Sequence, residues 1–88
     1  MKKYAVIEMD DIMIQHLGVS KTLNDAMAIA YSHMNDVCKA DGDSSVLVTP
    51  LENLEGDTGY VFTYTQAATD KHVELKTTIY ILEYDEPL

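Results

Sequence analysis

Residues 22–41, TLNDAMAIAYSHMNDVCKAD, decide the fold class. This stretch has a helical period, and β-rich segments flank it on both sides. Thr22 followed by Asp25 three residues on is close to a capping box, with Asp in place of the usual Glu or Gln. Leu23, Ala26, Met27, Ala30, Met34, Val37 and Cys38 recur at steps of three and four. Such spacing puts them on one apolar stripe of an α-helix. Asn24, Asp25, Ser32, Asn35, Asp36 and Lys39 fall largely on the opposite side. Gly42 suits the left-handed residue that ends a helix.

Ahead of the helix, KKYAVIEM (residues 2–9) is β-rich and mostly apolar, which predicts a strand. Asp10 and Asp11 follow, and Asx residues favour turns because their side chains hydrogen-bond nearby backbone. IMIQHL (12–17) then reads as a second strand, with Ile12, Ile14 and His16 on one face. The alternative is an irregular turn leading into the helix. Gly18 is expected to break the pattern.

After the helix the chain reads as a meander. SVLVTPL (45–51) is a strand that Pro50 ends or confines to a sheet edge. ENLEGDTG (52–59) is a loop, YVFTYTQ (60–66) alternates cleanly, and AATD (67–70) is a turn. KHVELKTTIYILEY (71–84) is a long strand. A hairpin centred on 67–70 pairs Gln66 with Lys71, Tyr64 with Val73, Phe62 with Leu75 and Tyr60 with Thr77. This gives one apolar face, suited to the helix, and one polar face. Towards its end the last strand turns apolar on both faces, as a central strand or one that meets another chain does.

The expected architecture is α+β: an antiparallel sheet of four or five strands with a single helix on one face, in the order β(β)αβββ. Eighty-eight residues make one domain, residues 1–88. A chain of this size buries only roughly 60–65% of the surface its unfolded form exposes, so the core is thin. Strands lie ~4.8 Å apart and a helix is ~10 Å wide, so one helix covers two or three strands. Tyr80, Leu82 and Tyr84 near the end of the last strand are therefore candidates for a dimer or partner surface. The alternative is that loop 52–59 or the N-terminal hairpin folds over them.

Charge limits the partners. Fifteen acids stand against six lysines, giving a net charge of −9, and arginine is absent. Phosphate and base-edge contacts need cationic side chains, arginine above all. Direct nucleic-acid binding is not expected. The single cysteine, Cys38, cannot form a bridge, whereas a secreted domain this small usually carries several, so a cytoplasmic location is expected. No uninterrupted apolar run approaches the ~20 residues of a membrane span. Lys2 and Lys3 precede an apolar stretch, but Glu8, Asp10 and Asp11 cut it too short for a secretion signal.

The chemistry is sparse. Glu8, Asp10 and Asp11 offer clustered oxygens, yet no EF-hand spacing follows. Asp41 and Asp43 flank Gly42 without the further ligands of a calcium loop. His33 and Cys38 are five apart on the helix, about 140° off a shared face, and no paired cysteines or histidines provide a zinc site. Cys38 sits in the apolar stripe near a helix C-terminus, where the dipole opposes a thiolate. No catalytic residue, metal or cofactor is assigned.

What remains is an acidic, non-enzymatic protein-binding module. The acids cluster at 8–11, 41–43, 52–57, 70–74 and 83–86. Aligned clusters would form a negative ridge able to imitate nucleic-acid phosphates and block a basic groove. The expected contributors are Glu52, Glu55, Asp57, Asp70, Glu74, Glu83, Asp85 and Glu86, facing a basic partner that handles nucleic acid. In size and charge alone, with no motif shared, the chain is similar to small phage-borne proteins that inhibit bacterial defence nucleases. The alternative is a homodimeric α+β accessory domain that associates through its C-terminal strand, with Tyr80, Leu82 and Tyr84 in the interface.

Overall fold

In the computed structural model, which describes residues 1–10, 12–40, 44–68 and 74–86, helix α1 spans Leu23–Ala40. Thr22 caps it as the sequence predicts. Its hydroxyl accepts a hydrogen bond from the Asp25 amide at 3.1 Å, and its carbonyl accepts one from Ala26 at 3.1 Å. Both bonds occupy groups that a helix start leaves open. Ala26 and Ala30 are fully buried, with Leu23, Met27, Ile29, Tyr31 and Met34 packed around them. The two alanines keep the helix backbone close to the sheet. The expected C-terminal Gly42 lies outside the described residues, as do Asp41 and Asp43.

Six antiparallel strands make the sheet: β1 (Lys2–Met9), β2 (Ile14–Ser20), β3 (Ser44–Val48), β4 (Glu52–Asn53), β5 (Gly59–Ala68) and β6 (Glu74–Asp85). The order is β2-β1-β6-β5-β3, and β4 also pairs with β5. The fold is α+β with one helix on one face, as expected. Strand β6 lies between β1 and β5, which accounts for its two apolar faces. Val6, Ile79, Ile81, Phe62 and Tyr64 point at the helix and are buried. Tyr31 of α1 stacks on Phe62, with ring centroids 4.8 Å apart and planes inclined by 18°.

Four details differ from the sequence reading. First, Gly18 does not end β2. The register passes from Val6 opposite Gly18 to Ile7 opposite His16, leaving Leu17 as the extra residue of a β-bulge. A β-carbon on Gly18 would come within 3.3 Å of Ile29, so the glycine serves the close approach of the helix. Second, Gln66 pairs with Leu75, Tyr64 with Thr77, Phe62 with Ile79 and Tyr60 with Ile81. The expected partners Lys71 and Val73 lie outside the described residues, and Ala67 and Ala68 belong to β5 rather than to a turn. The displacement is an even number of residues, so each side chain keeps its predicted face.

Third, loop 52–59 contains the short strand β4 and a 3-10 turn at Glu55–Asp57. Fourth, the edge beside β5 is one broken strand. β3 stops before Pro50, where the lost N–H would interrupt a ladder. Thr49 bridges the break. Its amide donates to the Thr63 carbonyl at 2.9 Å, and its hydroxyl accepts from the Thr63 amide at 2.8 Å.

Candidate functional site

The N-terminal end of β5 sets the geometry of the most charged region. Gly59 has φ of +152°, and a β-carbon there would lie 2.2 Å from the Ile81 carbonyl oxygen. Only glycine permits this approach to β6. Two backbone hydrogen bonds then strap the preceding loop to the end of the sheet. The Glu83 amide donates to the Thr58 carbonyl at 2.9 Å, and the Leu54 amide donates to the Gly59 carbonyl at 2.8 Å.

That strap brings two acidic segments together. Glu52, Glu55 and Asp57 come from the loop side, and Glu83, Asp85 and Glu86 from the end of β6. They share one end of the sheet, hereafter the acidic pole. Lys2 meets Glu83 at 2.6 Å and Lys3 meets Glu86 at 2.6 Å. A hydrogen bond to its carboxylate raises each lysine's pKa above the ordinary value, and the negative charge adds to it. Such exposed pairs contribute little to stability. Glu52, Glu55 and Asp85 are exposed. The other predicted contributors do not join the pole. Glu74 opens β6 at its opposite end, and Asp70 lies outside the described residues.

Tyr80, Leu82 and Tyr84 stand on the sheet face turned away from the helix. Tyr80 and Leu82 join Ile7, Met9, Ile14 and Leu54 in lining an open depression of about 400 Å³, walled by apolar side chains throughout. Leu54 comes from the loop and Met9 and Ile14 from the hairpin. Both expected covers therefore contribute a wall, and neither closes the face. Tyr84 is 40% exposed at the edge nearest the pole.

The candidate oxygens at 8–11 have other uses. Asp10 holds the β1–β2 turn: its Oδ1 accepts from the Ile12 and Met13 amides, each at 2.8 Å. Those bonds, Met13's first, depress its pKa below the ordinary carboxylate value. Asp11 lies outside the described residues. Glu8 points under the helix, 9% exposed, and pairs with His33 of α1. The two contacting atoms, Glu8 Oε2 and His33 Nε2, are shut off from solvent and have each other as partner. The arrangement clamps α1 to β1.

Sequence reasoning missed this pair, although the signal was present. Glu8 alternates with Tyr4 and Val6 on the inward face, and His33 follows Ala30 by three residues. Among the described residues no group of three or more His, Cys, Asp or Glu is placed to hold a metal ion. No helix among them is long and apolar enough to cross a membrane.

The fold and site define a class: a small acidic α+β protein with one sheet face covered by a helix and the other open. No protein-family model, no curated protein and no solved structure matches the chain.

Proposed function

We propose that the protein is a non-enzymatic protein-binding module whose acidic pole docks a basic partner. The observation that carries this reading is the gathering of segments 52–57 and 83–86 at one end of the sheet, through the Glu83–Thr58 hydrogen bond. Glu52, Glu55, Glu83, Asp85 and Glu86, five carboxylates from two segments set against Lys2 and Lys3, focus negative potential there. A pole of this kind steers a cationic surface into contact and fixes its orientation, with an attraction that salt screens.

The sharper form of the proposal names the partner as a protein that handles nucleic acid. Carboxylates on adjoining segments stand in for phosphates, and the module inhibits by occupying the groove meant for them. Blocking a bacterial defence nuclease on behalf of a phage is the biological setting this form fits, and it places the module in the cytoplasm. The net charge of −9 and the absence of arginine support a role opposite to nucleic-acid binding itself.

Capture from nuclease-treated bacterial lysate, quantified by mass spectrometry at low and high salt, tests the reading. The wild-type chain retains a basic protein at low salt. The variant Glu52→Lys/Glu55→Lys/Asp85→Lys does not. Equal capture by both proteins contradicts the proposal.

A further inference from the structure

We infer that the open sheet face is a homodimer interface, occupied by the same face of a second copy of this chain. The inference uses a surface that meets the acidic pole at Glu52, and it stands independently of the proposed function.

The first argument is charge. Fifteen acids are spread over eighty-eight residues, yet by register the described strands carry them on this face only at its margins, Glu52 opposite Val61 and Glu74 opposite Ala67. By register, its central positions on β1, β2, β5 and β6 carry no carboxylate. A basic partner would find no carboxylate at its centre to pair with. A second copy, itself at −9, meets no carboxylate at the centre of the contact and keeps its acids at or beyond the margin.

The second argument is chemistry and area. Ile7, Met9, Ile14, Leu54, Tyr80 and Leu82 wall an apolar depression on the face, and Ile14 is 68% exposed. Exposed apolar side chains gathered on one sheet face are a mark of an interface. Five strands ~4.8 Å apart and ~3.3 Å of rise per residue make a face on the order of 600–1,000 Å². A standard interface uses ~800 Å² per partner. Sheets pack face to face when their inner positions are apolar, and a two-fold axis lets one patch serve both copies. Such a dimer turns both helices and both acidic poles outward.

Sedimentation at micromolar concentration tests the inference. The expected species has twice the 9.8 kDa chain mass, and raising salt does not dissociate it. Ile14→Glu replaces a mostly exposed side chain, so the monomer still folds. Tyr80→Lys puts a charge at the centre of the face. Each should weaken association at least about tenfold, as loss of an interface anchor does, with circular dichroism unchanged. The pole variant Glu55→Lys/Asp85→Lys, which leaves Glu52 on the face unchanged, should remain a dimer, which separates this inference from the proposed function. A wild-type chain that stays monomeric overturns the inference. So does a dimer that survives both face variants, or one that falls apart on pole reversal or in salt.

Discussion

Replacing His33 with alanine removes the partner of a buried carboxylate. Glu8 is 9% exposed and points under α1 from β1, opposite Ile79. Its Oε2 has His33 Nε2 as its partner, and both atoms are sealed from solvent. Leaving a buried polar group unsatisfied costs ~1–3 kcal/mol. Breaking a fully buried ion pair costs ~3–5 kcal/mol. The His33 side chain is 26% exposed, so water enters part of the space it vacates and the upper range does not apply. The expected loss is therefore ~2 kcal/mol.

Urea denaturation followed by circular dichroism measures it. With m near ~1 kcal/mol/M for a chain of this size, the midpoint falls by ~2 M at unchanged m. The double variant Glu8→Leu/His33→Leu removes both polar groups and fills their volume. It should lie within ~1 kcal/mol of wild type, because apolar replacement of a buried pair is often neutral. A loss below ~0.5 kcal/mol for His33→Ala would refute the clamp, being the size of an ordinary surface change. A double variant destabilised by the sum of its two single changes would refute it too.

Gly59→Ala forces a β-carbon against the Ile81 carbonyl, with backbone on both sides. Thermal denaturation should show a loss of ~3 kcal/mol or more, and capture of a basic partner should weaken as the strap to the pole loosens. Thr22→Ala removes the helix cap bonded to Asp25 and should cost ~1 kcal/mol by urea titration, whereas Thr22→Ser should restore most of it. Asp10 has a folded-state pKa below its ordinary 3.8. Its charge therefore contributes stability above that value, and the contribution fades as pH falls through the lower folded pKa. Acid titration should show wild type losing more stability than Asp10→Asn in that window, and parallel curves would contradict the turn assignment.

The legible parts of this fold are those that local chemistry sets. Thr22 and the three-four stripe placed the helix, and strand alternation assigned faces correctly on β5 and β6. The two-sided apolar end of β6 pointed to a central strand or to one that meets another chain, and β6 lies between β1 and β5. The β5–β6 register was wrong by an even shift, because turn chemistry at 67–70 suggested a tight loop and the pleat alone cannot count pairs. Gly18 read as a breaker because a sequence does not show the helix that will pack on it.

The candidate site divides in the same way. Acid clusters are visible in the sequence, but their meeting depends on Gly59 approaching β6, a contact between distant segments. The lack of carboxylates at the centre of the helix-free face likewise emerges only when four strands are set in register. Glu8 and His33 are far apart in the chain, and neither shows a motif. Their pairing follows from the crossing of α1 over β1.

The central claim is that the acidic pole binds a basic partner by charge. Its most direct test is the salt dependence of affinity for the captured protein, compared between wild type and Glu52→Lys/Glu55→Lys/Asp85→Lys. The account predicts wild-type affinity that falls steeply with salt and competition with nucleic acid for the same partner, both absent in the reversed variant. Affinity that is independent of salt, or unchanged by reversing the pole, contradicts it.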